Sequence, residues 1–558
     1  MTDIKNLIIT ILLSTLILLS WQYFFVSPKT QEIVNKQIPS TTVTAAKHGH
    51  ATHSLKERHH LIDYNNLNRI KITSDKLHGS FNLKGALFDD LSLAEFRQSQ
   101  AKNSNEVILL SPFGSYDSYF VRFGWLAHTP KIIVPDDHTL WRADKEQIGA
   151  NQDVNLSWHN GQGLEFLMNI KLDSNYMFTV TQTVKNHDHD LVQISPFGLI
   201  NRMQKDEKKS SFANYHEGFI GFFKDKLVEE TFEEIKKGGK GFKDELNGWL
   251  GITDKYWLTA IIPSNKSKFN TEFRFTDLGA RTFYQVDYIG TGSSIAKGAT
   301  YSEETKFFAG AKQVKLLDQY AKDIPLFDRS VDFGMFYFMT KPMFLALNFL
   351  NSLVGNFGVA ILVLGLIIKI ILFPMANKSY HSMNRIKKLH PHILKLRERY
   401  AEDKLQLNRE IMELYKREKV NPLSGCLPIL VQIPVFLSLF KVISVTIELR
   451  HAPFFGWIHD LSAPDPLSLF NLFGLIPISL PSFLVIGVLP ILMGVTMVLQ
   501  QKMNPEPTDP VQAKVMKLLP LVFVFMFHGF PAGLMLNWCW NNILSILQQW
   551  YIARTSND

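Results

Sequence analysis

The sequence predicts a multi-domain membrane protein with three parts: an N-terminal transmembrane anchor, a large β-sandwich outside the cytoplasm, and a C-terminal five-helix transmembrane bundle with a cytoplasmic helical hairpin. Three observations predict this. The 558-residue chain has a mean hydropathy near zero, which fits a mixture of water-soluble and membrane parts. Long apolar runs cluster near its two ends. Short runs of period-two alternation fill the stretch between them.

The first apolar run covers residues 7–26, about enough to cross a bilayer core of ~30 Å at 1.5 Å per residue. Lys5 precedes it, and Trp21, Tyr23, Phe24 and Phe25 close it like an interfacial belt. Leu18 and Ser20 make a poor cleavage site, so residues 1–28 are expected to be an uncleaved anchor rather than a signal peptide. Residues 29–56 are polar and read as a linker. From 57 to 325 the pattern is mostly strand, as in Arg69-Ile70-Lys71-Ile72-Thr73, Ser80-Phe81-Asn82-Leu83-Lys84 and Phe178-Thr179-Val180-Thr181-Gln182-Thr183-Val184. So many short strands predict a β-sandwich. Lys236-Lys237-Gly238-Gly239-Lys240-Gly241 reads as a loop and lacks the phosphate-binding pattern GxxxxGK[ST].

Within 326–350, Phe333 to Phe349 is aromatic and apolar, with Asp332 before it and Lys341 and Pro342 inside, and 326–350 is expected to be an amphipathic helix at the membrane surface. The bundle, 351–552, holds five apolar segments: 353–373, 425–447, 483–500, 515–530 and 534–552. A tail, 553–558, follows. Residues 376–422 carry twelve Lys/Arg and six Asp/Glu, whereas 450–482 carry one Arg and two Asp. The positive-inside rule puts the first loop in the cytoplasm and the second outside. Both termini are then cytoplasmic and the β domain is outside. Within 376–422, Ile386, Leu389, Ile393, Leu396 and Tyr400, then Leu407, Ile411 and Leu414, recur at helical spacing. Asp403 separates them, so the loop reads as a helical hairpin. Its basic residues Arg385, Lys387, Lys388, Lys395, Arg397 and Arg399 suit either a solvated connector or a docking arm for ribosomal RNA.

Cys426 and Cys539, the two cysteines, both lie in apolar stretches, so they read as packing residues. Lys369 lies inside the first bundle span, where a lysine at the centre costs roughly 2.5–3.5 kcal/mol. It could snorkel to the headgroups or face a wet cavity. Gln432, Ser438, Thr496, Gln500, Asn537 and Asn541 are further polar groups in the spans and favour the cavity. Lys441, near the outer end of its span, reads as snorkelling. The sequence holds no Walker motif and no Cys/His ligand cluster, so no cofactor, metal or catalytic residue is expected.

Lys419-Val420-Asn421-Pro422-Leu423-Ser424-Gly425-Cys426-Leu427-Pro428 resembles the hallmark loop-to-helix junction of the YidC/Oxa/Alb membrane protein insertases. Glu448-Leu449-Arg450-His451-Ala452-Pro453, Trp457-Ile458-His459-Asp460-Leu461-Ser462, Leu492-Met493-Gly494-Val495-Thr496-Met497 and Phe530-Pro531-Ala532-Gly533-Leu534 resemble later segments of the same family. Trp249-Leu250-Gly251-Ile252-Thr253-Asp254-Lys255-Tyr256 is similar to its Gram-negative form. The resemblance implies an inner-membrane insertase and chaperone with a supersandwich-like periplasmic domain. The implied partners are nascent membrane proteins, the Sec translocon, the ribosome with the signal recognition particle pathway, and membrane lipids. It also implies a hydrophilic groove with a positive charge at Lys369, where arginine is usual in the family. Phe436 and Trp538 would then contact the substrate helix. Two rival readings are a small-solute transporter or channel, which predicts inverted repeats or paired ionisable groups, and a sugar-active β domain. Neither has a matching motif in the sequence.

Overall fold

The computed structural model describes residues 56–64, 68–203, 215–277, 281–418, 420, 427–469, 485–503 and 510–555. The expected anchor 1–28, all of the linker before residue 56 and the last three residues of the tail lie outside the described residues. So does most of the Lys419–Pro428 motif, Cys426 included.

Strands from Arg69 to Ala311 form an 11-stranded and a 9-stranded sheet. Strand Leu164–Leu172 alternates buried and partly exposed positions, and its neighbour Met177–Asn186 does the same, so one face of each points inward. The two sheets meet through aromatic side chains. Phe88 of one sheet lies 5.4 Å from Phe178 and 5.3 Å from Phe307 of the other, and Phe219 stacks on Phe273 at 5.0 Å. Each such ring contributes about 1.5–3 kcal/mol by burial. The expected strand at 80–84 is shifted: it spans Leu77–Asn82.

Three short helices accompany the sheets: α1 (Arg58–Tyr64), α2 (Phe232–Lys237) and α3 (Val314–Tyr320). Helix α2 corrects the sequence reading of residues 236–241 as a loop. Thr231 and Glu234 form a capping box that starts the helix, and Lys240 opens an edge strand, Lys240–Glu245. Only Gly238 and Gly239 connect the two.

The C-terminal region is helical: α4 (Tyr337–Val354), α5 (Phe357–Arg399), α6 (Lys404–Arg417), α7 (Leu427–Val445), α8 (Val488–Met503), α9 (Pro510–Phe527) and α10 (Ala532–Thr555). Helix α10 packs on α5 and α8, α8 on α9, and α4 on α5 and α7. Among the described residues, α5 is the one helix long and apolar enough to cross a membrane.

Two boundaries differ from the sequence reading. The first bundle span begins at Phe357, not at 353, because α4 runs on to Val354. Gly355 then takes a left-handed conformation, φ 71°, and the Asn356 side chain caps α5 by accepting from the Val359 N–H. A continuous apolar run conceals that break. Second, the span and the first arm of the expected hairpin are one 43-residue helix containing Pro374 and Pro391. No glycine lies between Phe373 and Arg399 to end the helix. Asp403 then caps α6, accepting from the N–H groups of Leu405 and Gln406.

The β domain and the bundle are joined by specific polar contacts. Lys441, expected to snorkel, has a protein partner: its Nζ is 2.9 Å from Asp332 Oδ2. Lys341 of α4 pairs with Asp318 and Asp328. Helix α3 has no side-chain cap of its own, and Glu448 Oε1, from the segment after α7, accepts from the Val314 N–H at 2.9 Å.

Candidate functional site

A cavity of about 490 Å³ opens among α5, α7, α8, α9 and α10. Seven of the nine groove residues expected from the sequence line it: Lys369, Gln432, Phe436, Gln500, Asn537, Trp538 and Asn541. Ser438 and Thr496 do not. Ser438 is 1% exposed and packed inside the bundle. Thr496 donates to the Met493 carbonyl and accepts from Asn542 Nδ2 at 2.9 Å, so it braces α8 against α10 behind the cavity.

Local sequence explains the arrangement. Asn537, Asn541, Ser545 and Gln549 are four residues apart on α10 and therefore share one face. That face points at Lys369, whose Nζ donates to Ser545 Oγ at 2.7 Å. Ser545 in turn donates to the Asn541 carbonyl, and Asn541 Nδ2 donates to the Asn537 carbonyl. Gly365, one turn before Lys369, lets the helices approach: a Cβ there would lie 3.2 Å from Asn537 Oδ1. Trp540 fastens the same seam by donating to the Leu362 carbonyl.

Apart from Tyr380, Gln432, Gln500, Gln501 and Asn542, the remaining wall is apolar. Trp538 lies 4.8 Å from Phe436, 5.8 Å from Phe523 and 5.0 Å from Phe527, so one aromatic cluster ties α7, α9 and α10 together. Met375, Met383, Met497 and Met516 add flexible, polarizable surface. The site therefore offers one cation, a column of neutral hydrogen-bonding groups and an adaptable apolar face. It contains no carboxylate among its lining residues. Such a set can hold a polar chain segment beside an apolar helix.

Sequence reasoning missed Ser545, Asn542, Gln549 and Tyr380 as lining residues. The spacing of four from Asn537 through Gln549 was the available signal for Ser545 and Gln549.

The basic residues Arg385, Lys387, Lys388, Lys395, Arg397 and Arg399 all lie on the second half of α5, apart from the cavity. All but Arg397 are exposed. The described residues contain one group that could hold a metal ion, the exposed Glu57, His59 and His60 at α1, with ligand atoms within 4.8 Å of one another. It lies apart from the groove-lining residues in sequence and is not needed for what the groove can do.

Residues 69–346 match the family model of the YidC periplasmic domain, and residues 349–558 match that of the 60Kd inner membrane protein. A protein named membrane protein insertase YidC from Rickettsia bellii (strain OSU 85-389) is 48% identical over 558 residues, covering 99% of both chains. The protein of the same name from Rickettsia akari (strain Hartford) is 48% identical over 557 residues, again covering 99% of both. A crystal structure described as an active YidC insertase with its first transmembrane domain resolved aligns with 87% of this chain and 92% of its own. Its TM-score is 0.37 at 17% identity.

Proposed function

The chain belongs to the YidC family of membrane protein insertases, and from that membership we propose that it inserts integral membrane proteins into the bacterial inner membrane and helps them fold. The named relatives are insertases rather than enzymes. The observation that carries the reading is the cavity in which Lys369 and the polar column of α10 face the aromatic cluster around Trp538.

In this reading, α5, α7, α8, α9 and α10 supply the five spans of residues 351–552, the β domain of 57–325 is periplasmic, and both termini are cytoplasmic. Helix α4, within 326–350 and a few residues beyond, lies at the outer membrane surface. Helices α5 and α6 project the hairpin of 376–422 into the cytoplasm, and the anchor of 1–28 is a sixth span. A nascent client arrives from the ribosome, received by the hairpin's basic residues through phosphate contacts, either by way of the signal recognition particle pathway or beside the Sec translocon. The client's short polar outer segment enters the groove. Lys369 attracts it, and Gln432, Gln500 and Asn541 replace part of its hydration, which lowers the cost of carrying polar groups part-way through lipid. The apolar helix then leaves along Phe436 and Trp538 into the bilayer. Lysine provides the charge without arginine's planar fork, and Ser545 fixes its position. No step consumes a nucleotide.

The reading is tested by insertion of a Sec-independent client into proteoliposomes. Lys369→Arg retains insertion, and Lys369→Ala and Lys369→Glu lose most of it. Full insertion by both the alanine and the glutamate variants would remove the role given to the charge.

A further inference from the structure

A second and larger cavity, about 820 Å³, lies in the β domain where it meets the bundle. Its size falls within the roughly 300–1,000 Å³ usual for ligand sites. Asp254, Lys255 and Tyr256, from the motif singled out in the sequence, line it, and so does Arg450 from the segment after α7. The function described above uses none of them.

The charges in this cleft are unevenly matched. Its carboxylates are engaged: Asp254 pairs with Arg202 at 2.6 Å, Glu233 with Lys236 at 3.4 Å, and neither Asp117 nor Glu217 is free. Two cations, Lys255 and Arg450, have no carboxylate in ion-pair contact among the described residues, although Asp460 acts on Arg450 from further away. Lys255 Nζ lies 4.7 Å from the centre of the Tyr256 ring and 5.4 Å from that of Tyr215. Arg450 Cζ lies 5.5 Å from the Trp257 ring and 6.0 Å from Tyr256. Arg450 donates to the carbonyls of Arg97 and Gln98, and neither cation forms an ion pair among the described residues. The result is a row of alternating rings and cations, half-buried and pre-ordered by stacking. Such a row recognises a carboxylate whose stem can lie against an aromatic face.

Its place suggests the occupant. Gln432 and Phe436 of α7 line the groove, and Arg450 stands beyond the other end of the same helix. A client segment that has passed the groove emerges beside it. Segments delivered to the outer side of the membrane are poor in Lys and Arg, so the charge they carry is mostly carboxylate. We propose that this cleft is a peptide-binding site that receives acidic, extended client segments as they reach the periplasmic side. The proposal rests on the insertase reading for the source of the peptide, though not for the binding chemistry.

The test is fluorescence anisotropy on the detergent-solubilised full chain, with a labelled eight-residue peptide of Asp, Glu, Gly and Phe. Saturable binding is expected, weakened at least tenfold when Asp and Glu become Asn and Gln. The Lys255→Gln, Arg450→Gln double variant should lose at least tenfold in affinity, and Lys322→Gln, which removes an exposed cation elsewhere, should lose none. If the double variant fails to fold, Lys255→Gln alone carries the test, with a loss of at least threefold expected. Equal affinity for the neutral peptide, or no loss in these variants, overturns the proposal. Displacement by glycerol phosphate but not by glutamate would assign the cleft to anionic lipid headgroups and overturn it as well. Client insertion is measured in parallel: acidic-selective binding without insertion sinks the insertase reading alone, and insertion without peptide binding sinks the cleft alone.

Discussion

Replacing Glu448 with glutamine will remove a pH-dependent loss of stability at the junction of the β domain and the bundle. Burial pushes the Glu448 carboxyl up from its ordinary value of 4.5 to about 7, against the opposing effects of its backbone hydrogen bonds, including that from Val314, and of Lys315. Glu448 Oε2 has no hydrogen-bond partner among the described residues. A group with a raised folded-state pKa binds more protons folded than unfolded between those two values. Its contribution to stability is therefore complete below about pH 4.5 and is lost as pH rises through about 7. At about 1.4 kcal/mol per pH unit, the shift sets a ceiling of about 3 kcal/mol. Glutamine keeps an acceptor for the Val314 N–H and cannot ionise. Melting curves in detergent from pH 4.5 to 8.5 check this: the variant should match the wild type at the acid end and exceed it increasingly toward pH 8. A difference that stays constant across the range would refute the burial argument.

Other perturbations act on single contacts. Ser545→Ala removes the 2.7 Å partner of Lys369, a charge-assisted bond worth about 1.5–3 kcal/mol; client insertion should slow, and Ser545→Thr should restore it. Trp249 is fully buried and donates to the Pro325 carbonyl at 2.8 Å, so Trp249→Ala should cost about 3–5 kcal/mol in denaturant unfolding of the β domain. Gly358→Ala would place a Cβ 2.1 Å from Phe454 Cδ2; the melting temperature should fall, and adding Phe454→Ala should recover part of the loss. Reversing Arg385 and Arg399 to Glu should weaken ribosome binding in sedimentation and flatten its salt dependence, since each phosphate contact adds to that slope.

Periodicity carried the fold as far as its elements. Alternation located the strands at Arg69–Thr73 and Met177–Asn186 because one face of each sheet is buried and the signal is local. Boundaries set by a single cap were harder to read. Gly355 and Asn356 split an apolar run into two helices, while the helix runs on through Pro374 and joins the expected span to the first arm of the expected hairpin. The groove was legible as polar residues in apolar spans, but polarity alone does not say which side faces the cavity, so Ser438 and Thr496 were included and Ser545 was not. Contacts between distant segments left no trace in local pattern. Lys441 looked like a snorkelling lysine because its partner, Asp332, lies 109 residues away, and nothing near Glu448 in sequence marks it as the cap of a helix of the β domain.

The central claim is that clients pass through the groove beside Lys369. Photo-crosslinking of a ribosome-stalled client tests it most directly, with the probe placed in turn at positions 369, 436 and 538 and, as a comparison, at the exposed Leu191 of the β domain. Strong adducts are expected from the three groove positions, moving from 369 toward 436 and 538 as the stalled client lengthens, with little from 191. Adducts no stronger at the groove positions than at 191, at every client length, would contradict it.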